Sequence, residues 1–264
     1  MFKNSTIWRS VHAAWDLGCD CALLKSLQPD QKNPQKDKQA FDELNPLYLM
    51  PLWGAVGGIV ALLAGKILSY LLPLNGSSIL FALLFTFIGE LRTSGRALAL
   101  NVTFFENICG RKNFVTSREL RNASLKNITG LIAMLLAIGI LFGKFFAILL
   151  VARTGHYGVL SAALVIALGA EALMASEASA TGVPRYCSKA KGEYIVALTG
   201  FLLLFNLISM PLATLIITAA ATIVTAFMTV LCNKRCGEIN SDDMTMTGYL
   251  LEFTVWATAA ILIG

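Results

Sequence analysis

Six long apolar stretches leave this chain little choice of fold. Leu47–Leu72 is interrupted only by Lys66, and Leu74–Leu91 has Glu90 near its end. Ile128–Ala152 contains the single cation Lys144, and Tyr157–Ala180 carries Glu171 and Glu177 in its second half. Tyr194–Cys232 runs for 39 residues, and Met246–Gly264 closes the chain. A helix needs about 20 apolar residues to cross the hydrocarbon core of a bilayer. The 39-residue stretch is too long for one crossing, and Pro211 near its middle divides it, because proline breaks or kinks a helix. The stretches are continuous and lack period-two alternation, which favours helices over a membrane barrel. The reading is an all-α polytopic integral membrane bundle of about seven transmembrane helices. The count falls to six if Leu74–Leu91 is re-entrant. One domain then covers residues 47–264, and a polar segment, 1–46, precedes it.

Composition agrees. Hydrophobic residues make up 56% and charged residues 14%, with mean hydropathy +0.68. Soluble domains carry about 25% charged residues. An ordinary soluble enzyme, a disordered chain and a fibre are excluded. The basic residues then orient the spans. Arg92, Arg96, Arg111, Lys112, Arg118, Arg121 and Lys126 fall between spans two and three. Arg185, Lys189 and Lys191 fall between four and five, and Lys234 and Arg235 between six and seven. Of the 21 Lys and Arg, only Arg153 lies in a linker on the opposite side, and only Lys66 and Lys144 lie within spans. The positive-inside rule makes the basic side cytoplasmic. The N-terminus and large loops are expected inside the inner membrane, with short turns at Pro73–Asn75, Arg153–His156 and Met210–Pro211 outside. The expected surroundings are membrane lipid, with no nucleic-acid partner. The six cysteines fit free reduced thiols, since Cys19, Cys21 and His12 match no standard zinc spacing.

Few residues can carry chemistry. Asp242 and Asp243 sit in the stretch Asn233–Thr245, read as a loop, where they could ligate Mg²⁺ together with phosphate oxygens; a capped turn is the plainer reading. Arg92 and Arg96, four apart, could face one phosphate from a helix, or simply sit near anionic lipid. Glu90 and Glu106 are the acids of that loop's start. Glu252 lies inside the last span, where an acid is costly and a functional candidate by default. A Lys144–Glu252 pair would satisfy both buried charges.

The layout resembles a known family, the cobalamin synthases (adenosylcobinamide-GDP ribazoletransferases), from about Leu47 to Gly264. Pro51-Leu52-Trp53-Gly54-Ala55-Val56-Gly57-Gly58 is similar to the opening of the family's first span. Gly89 stands where the family has a glycine pair, and Gly130 opens a span carrying Lys144. Pro184-Arg185-Tyr186 with Gly192 resembles a family loop. Lys234, Gly237, Asp242 and Glu252 fall close to the register of its ending. The departures are as plain. Where the family has an Asp-rich signature, Leu91–Val102 holds no carboxylate; Ala123 replaces an Asp, and Glu238 a Gly.

The resemblance implies a reaction: α-ribazole, or its 5′-phosphate, joins adenosylcobinamide-GDP with release of GMP and use of Mg²⁺, late in cobalamin biosynthesis. Arg92, Arg96, Lys144, Arg185 and Gly237 would then bind substrate, and Asp242, Asp243 and Glu90 would hold the metal. Corrinoid and ribazole substrates, and other enzymes of the same pathway, are the implied partners. The missing Asp cluster leaves a second expectation, a relative without catalysis that binds corrinoid precursors or scaffolds pathway enzymes at the membrane. A small transporter is a third, disfavoured because the two halves show no inverted repeat.

Overall fold

The computed structural model describes residues 45–92, 98–102, 105, 128–177, 190–236 and 241–263. The N-terminal segment, apart from its last two residues, therefore lies outside the described residues. Among those described, every regular element is helical. A 3₁₀ turn, Pro46–Leu49, leads into α1 (Met50–Leu71), followed by α2 (Leu74–Arg92), α3 (Ile128–Arg153) and α4 (Gly158–Glu177). Then come α5 (Gly192–Ser209), α6 (Pro211–Cys236) and α7 (Ser241–Ile263). Among the described residues, four segments are long and apolar enough to cross a membrane: Pro46–Leu71, Leu131–Arg153, Pro211–Leu231 and Met246–Ile263. Leu74–Glu90, Ser161–Ser176 and Gly192–Leu204 are shorter apolar helices. Acids lie at or near the ends of these stretches: Glu90 in α2, Glu171 and Glu177 in α4, Glu193 in α5.

Local sequence sets the boundaries. The Asn45 side chain accepts a hydrogen bond from the Leu47 N–H at 3.1 Å, and Pro46 occupies the first helical position. The expected division of the long apolar stretch falls at Met210, and Pro211 starts α6, where its missing N–H costs nothing. α2 is one uninterrupted helix. α3 ends on Gly155 with φ +73°, the left-handed conformation that glycine adopts without strain. The stretch read as a loop over Asn233–Thr245 is largely helical. α6 runs on to Cys236, and α7 already begins at Ser241. Asp242 and Asp243 thus occupy its first turn, where negative charge complements the helix dipole. Consecutive residues on a helix diverge by about 100°.

Burial is inverted relative to a soluble protein. Ile59, Leu63, Phe87, Phe142, Phe201, Ile223 and Phe227 are more than half exposed, whereas Lys144, Glu171 and Glu252 are buried. That is the arrangement a lipid solvent demands. α4 is the hub. It packs on α1, α5, α6 and α7, while α2 packs on α1 and α3, and α3 on α7. The α1–α4 contact is the most extensive and rests on small residues, the usual means of close helix approach in lipid. Gly54 and Gly58 lie directly over the α4 backbone, and Gly65 over the Tyr157 ring. Trp256, fully buried, takes the edge of Phe85 at 5.6 Å, and Phe81 stacks on Phe85 at 5.5 Å, which ties α7 to α2.

A Cβ at position 54 would lie 2.6 Å from the Leu164 carbonyl oxygen and 2.8 Å from the Val165 Cα. Backbone cannot rotate away, so Gly54→Val must part the two helices. Overpacking of this kind costs about 1–3 kcal/mol, and thermal unfolding in detergent should report it. Gly139→Val is the control, because a Cβ there meets nothing within 4 Å.

Candidate functional site

The buried charges gather within the bundle. Lys144 on α3 donates to a carboxylate oxygen of Glu252 on α7, and both side chains are buried, at 1% and 6% exposure. The pair is the one expected from sequence. An ammonium and a carboxylate desolvated together each supply the counter-charge that the other needs. Tyr249, three residues before Glu252 and so on the same helix face, places its ring 5.0 Å from the Lys144 Nζ. The negative face of the ring adds a second attraction to the cation.

α2 closes the site from another side. A Cβ at Gly89 would stand 3.1 Å from the Lys144 Nζ, so glycine leaves room for the ammonium beside α2. Next in sequence, Glu90 has both carboxylate oxygens buried and faces the Tyr249 hydroxyl. Glu171 on α4 lies against Gly248, where a Cβ would be 3.0 Å from its carboxylate. Thr247 and Asn101 are also fully buried. Two carboxylates, one ammonium and a phenol thus come together from α2, α3 and α7, with Glu171 of α4 against Gly248. In a low-dielectric interior such a cluster can orient a polar group strongly or relay a proton.

The expected site residues fall into three groups. Gly89, Lys144 and Glu252 meet, and Glu90 joins them through Tyr249. Lys144 is paired with the Glu252 carboxylate. Asp242 and Asp243 begin α7 two turns before Tyr249, and Arg92 ends α2, but their side chains lie outside the described residues. Arg96, Arg185 and Gly237 lie wholly outside them. Among the described residues, no three His, Cys, Asp or Glu side chains gather as a metal site. Sequence reasoning did not single out Tyr249 or the Glu171–Gly248 contact. Tyr249 does carry a signal, since it stands one helical turn from Glu252.

No protein-family model matches the chain, and neither does any curated protein or solved structure.

Proposed function

We propose that the chain is a divergent relative of the cobalamin synthases and acts as an adenosylcobinamide-GDP ribazoletransferase. In this reading seven helices cross the cytoplasmic membrane, and the N-terminus and basic loops face the cytoplasm. A hydroxyl of α-ribazole attacks the cobinamide-side phosphorus of the pyrophosphate; the bond to the bridging oxygen breaks, and GMP leaves. One observation carries the reading. Gly89, Lys144 and Glu252, each matching the family's layout, meet in one buried cluster although the latter two are 108 positions apart. The pair would brace α3 against α7 beneath the cytoplasmic mouth, and so fix where α7 presents Asp242.

Mg²⁺ would neutralise charge on the phosphoryl oxygens. It requires only one or two carboxylates beside substrate phosphates and water, so Asp242 from the first turn of α7 suffices, with Asp243 or Glu90 in support. Arg92, Arg96 and Arg185 would supply the remaining positive charge, and Gly237 close backbone approach. The second reading, a relative that binds corrinoid without catalysis, is favoured by the carboxylate-free stretch Leu91–Val102.

Titrating adenosylcobinamide-GDP into the purified protein, followed by corrinoid absorbance, separates the two. The transferase reading expects binding about tenfold tighter with Mg²⁺, a step of about 1.4 kcal/mol. Equal affinity with and without the metal supports the second reading, and no binding in either condition contradicts both.

A further inference from the structure

Lys144 brings three N–H donors into the bundle, and the Glu252 carboxylate takes one of them. The other two meet no acceptor among the described residues. The side chain is buried, so bulk solvent does not meet them either. The Tyr249 hydroxyl is in the same position. It is fully buried and makes no direct hydrogen bond among the described residues, although it faces the Glu90 carboxylate. Unmet donors are costly in a bilayer interior. Nearly all buried polar groups in folded proteins do find a partner.

These groups converge. The Lys144 Nζ lies 5.0 Å from the centre of the Tyr249 ring. On its α2 side stands Gly89, where a Cβ would be 3.1 Å from the Nζ. Glu90 follows Gly89 in sequence and faces the Tyr249 hydroxyl. Ammonium, phenol and carboxylate thus come together where α2, α3 and α7 meet. The charges select what can join them. A metal cation is repelled by Lys144, and a small anion would face both Glu90 and Glu252. A neutral molecule that both donates and accepts fits all three groups. Water accepts from the ammonium and from the phenol, and donates to the carboxylate. About three such hydrogen bonds are what a buried water makes. The absent side chain of Gly89 leaves the Nζ open on that side.

We propose that α2, α3 and α7 enclose a binding site for one ordered water, held by the Lys144 ammonium, the Tyr249 hydroxyl and the Glu90 carboxylate. The water extends the hydrogen bonding of Lys144 and ties α2 to the ion pair that joins α3 and α7. Nothing in this site depends on ribazole transfer.

X-ray hydroxyl-radical labelling of the full chain in detergent, read residue by residue by mass spectrometry, tests this. The radicals form from water where it stands, so a side chain shut off from solvent is modified only beside a bound water. Tyr249 and Trp256 lie two turns apart on α7, and both are buried, at 4% and 0% exposure. Tyr249 should be modified about tenfold faster than Trp256, although tryptophan is the more reactive ring. Glu90→Leu removes the acceptor and should lower the Tyr249 rate severalfold. Tyr249 modified no faster than Trp256 overturns the proposal. So does a Tyr249 rate that Glu90→Leu leaves unchanged, because bulk water would then be the source. The wild-type comparison decides the question even where that variant fails to fold.

Discussion

Replacing Lys144 by Met alone will remove about 3–5 kcal/mol of stability, and replacing Glu252 by Leu in the same chain will restore most of it. The single change leaves the Glu252 carboxylate buried without the ammonium that now neutralises it. Uncompensated buried charge is what makes one-sided disruption of such pairs costly. The double variant presents two apolar side chains of similar size, and substitutions of that kind are often neutral or stabilising. Lys144 has an added attachment to the Tyr249 ring at 5.0 Å, worth about 0.5–2 kcal/mol, so recovery should be incomplete. Against a total stability of about 5–15 kcal/mol for a typical domain, the single loss is large. Thermal unfolding of the two single variants and the double in one detergent forms a complete cycle. An unchanged melting temperature for Lys144→Met would mean that the pair does not hold α3 to α7.

Asp242→Asn is expected to lower cobamide formation by at least about 100-fold while hardly altering stability. Asn keeps the shape of the side chain and still suits the start of a helix. Its loss of charge at the N-terminus of α7 costs only about 0.3–1 kcal/mol. Charge opposite a transferring phosphoryl group matters far more, and loss of one such contact typically costs about 10²–10³ in rate. Asp243→Asn, on a neighbouring face of the same turn, should have a smaller effect. A rate equal to wild type for both variants would remove the first turn of α7 from any metal role.

Much of the fold was legible because bilayer thickness acts as a ruler. Each apolar stretch became a helix, with most ends displaced by only a few residues, and Pro211 divided the longest as its missing N–H requires. Buried charge in lipid must be matched, and that argument paired Lys144 with Glu252 before any coordinates. The remainder depended on rotation and tilt, which residue type does not specify. Nothing in the sequence places Glu171 opposite Gly248, or Gly89 beside an ammonium on α3. Asn233–Thr245 was misread as a loop because its polarity resembles a turn, yet polar residues continue both α6 and α7 past the apolar stretches. Among the described residues, length and hydropathy single out four helices.

The central claim, that this bundle catalyses ribazole transfer, is tested most directly by supplying membranes that contain the protein with adenosylcobinamide-GDP, α-ribazole and Mg²⁺. Mass spectrometry then reads cobamide and GMP together. Equal amounts of both, above membranes without the protein and lost on chelation of Mg²⁺, are the predicted result. Neither product, alongside an active cobalamin synthase under identical conditions, would contradict the claim and leave the corrinoid-binding relative as the reading to pursue.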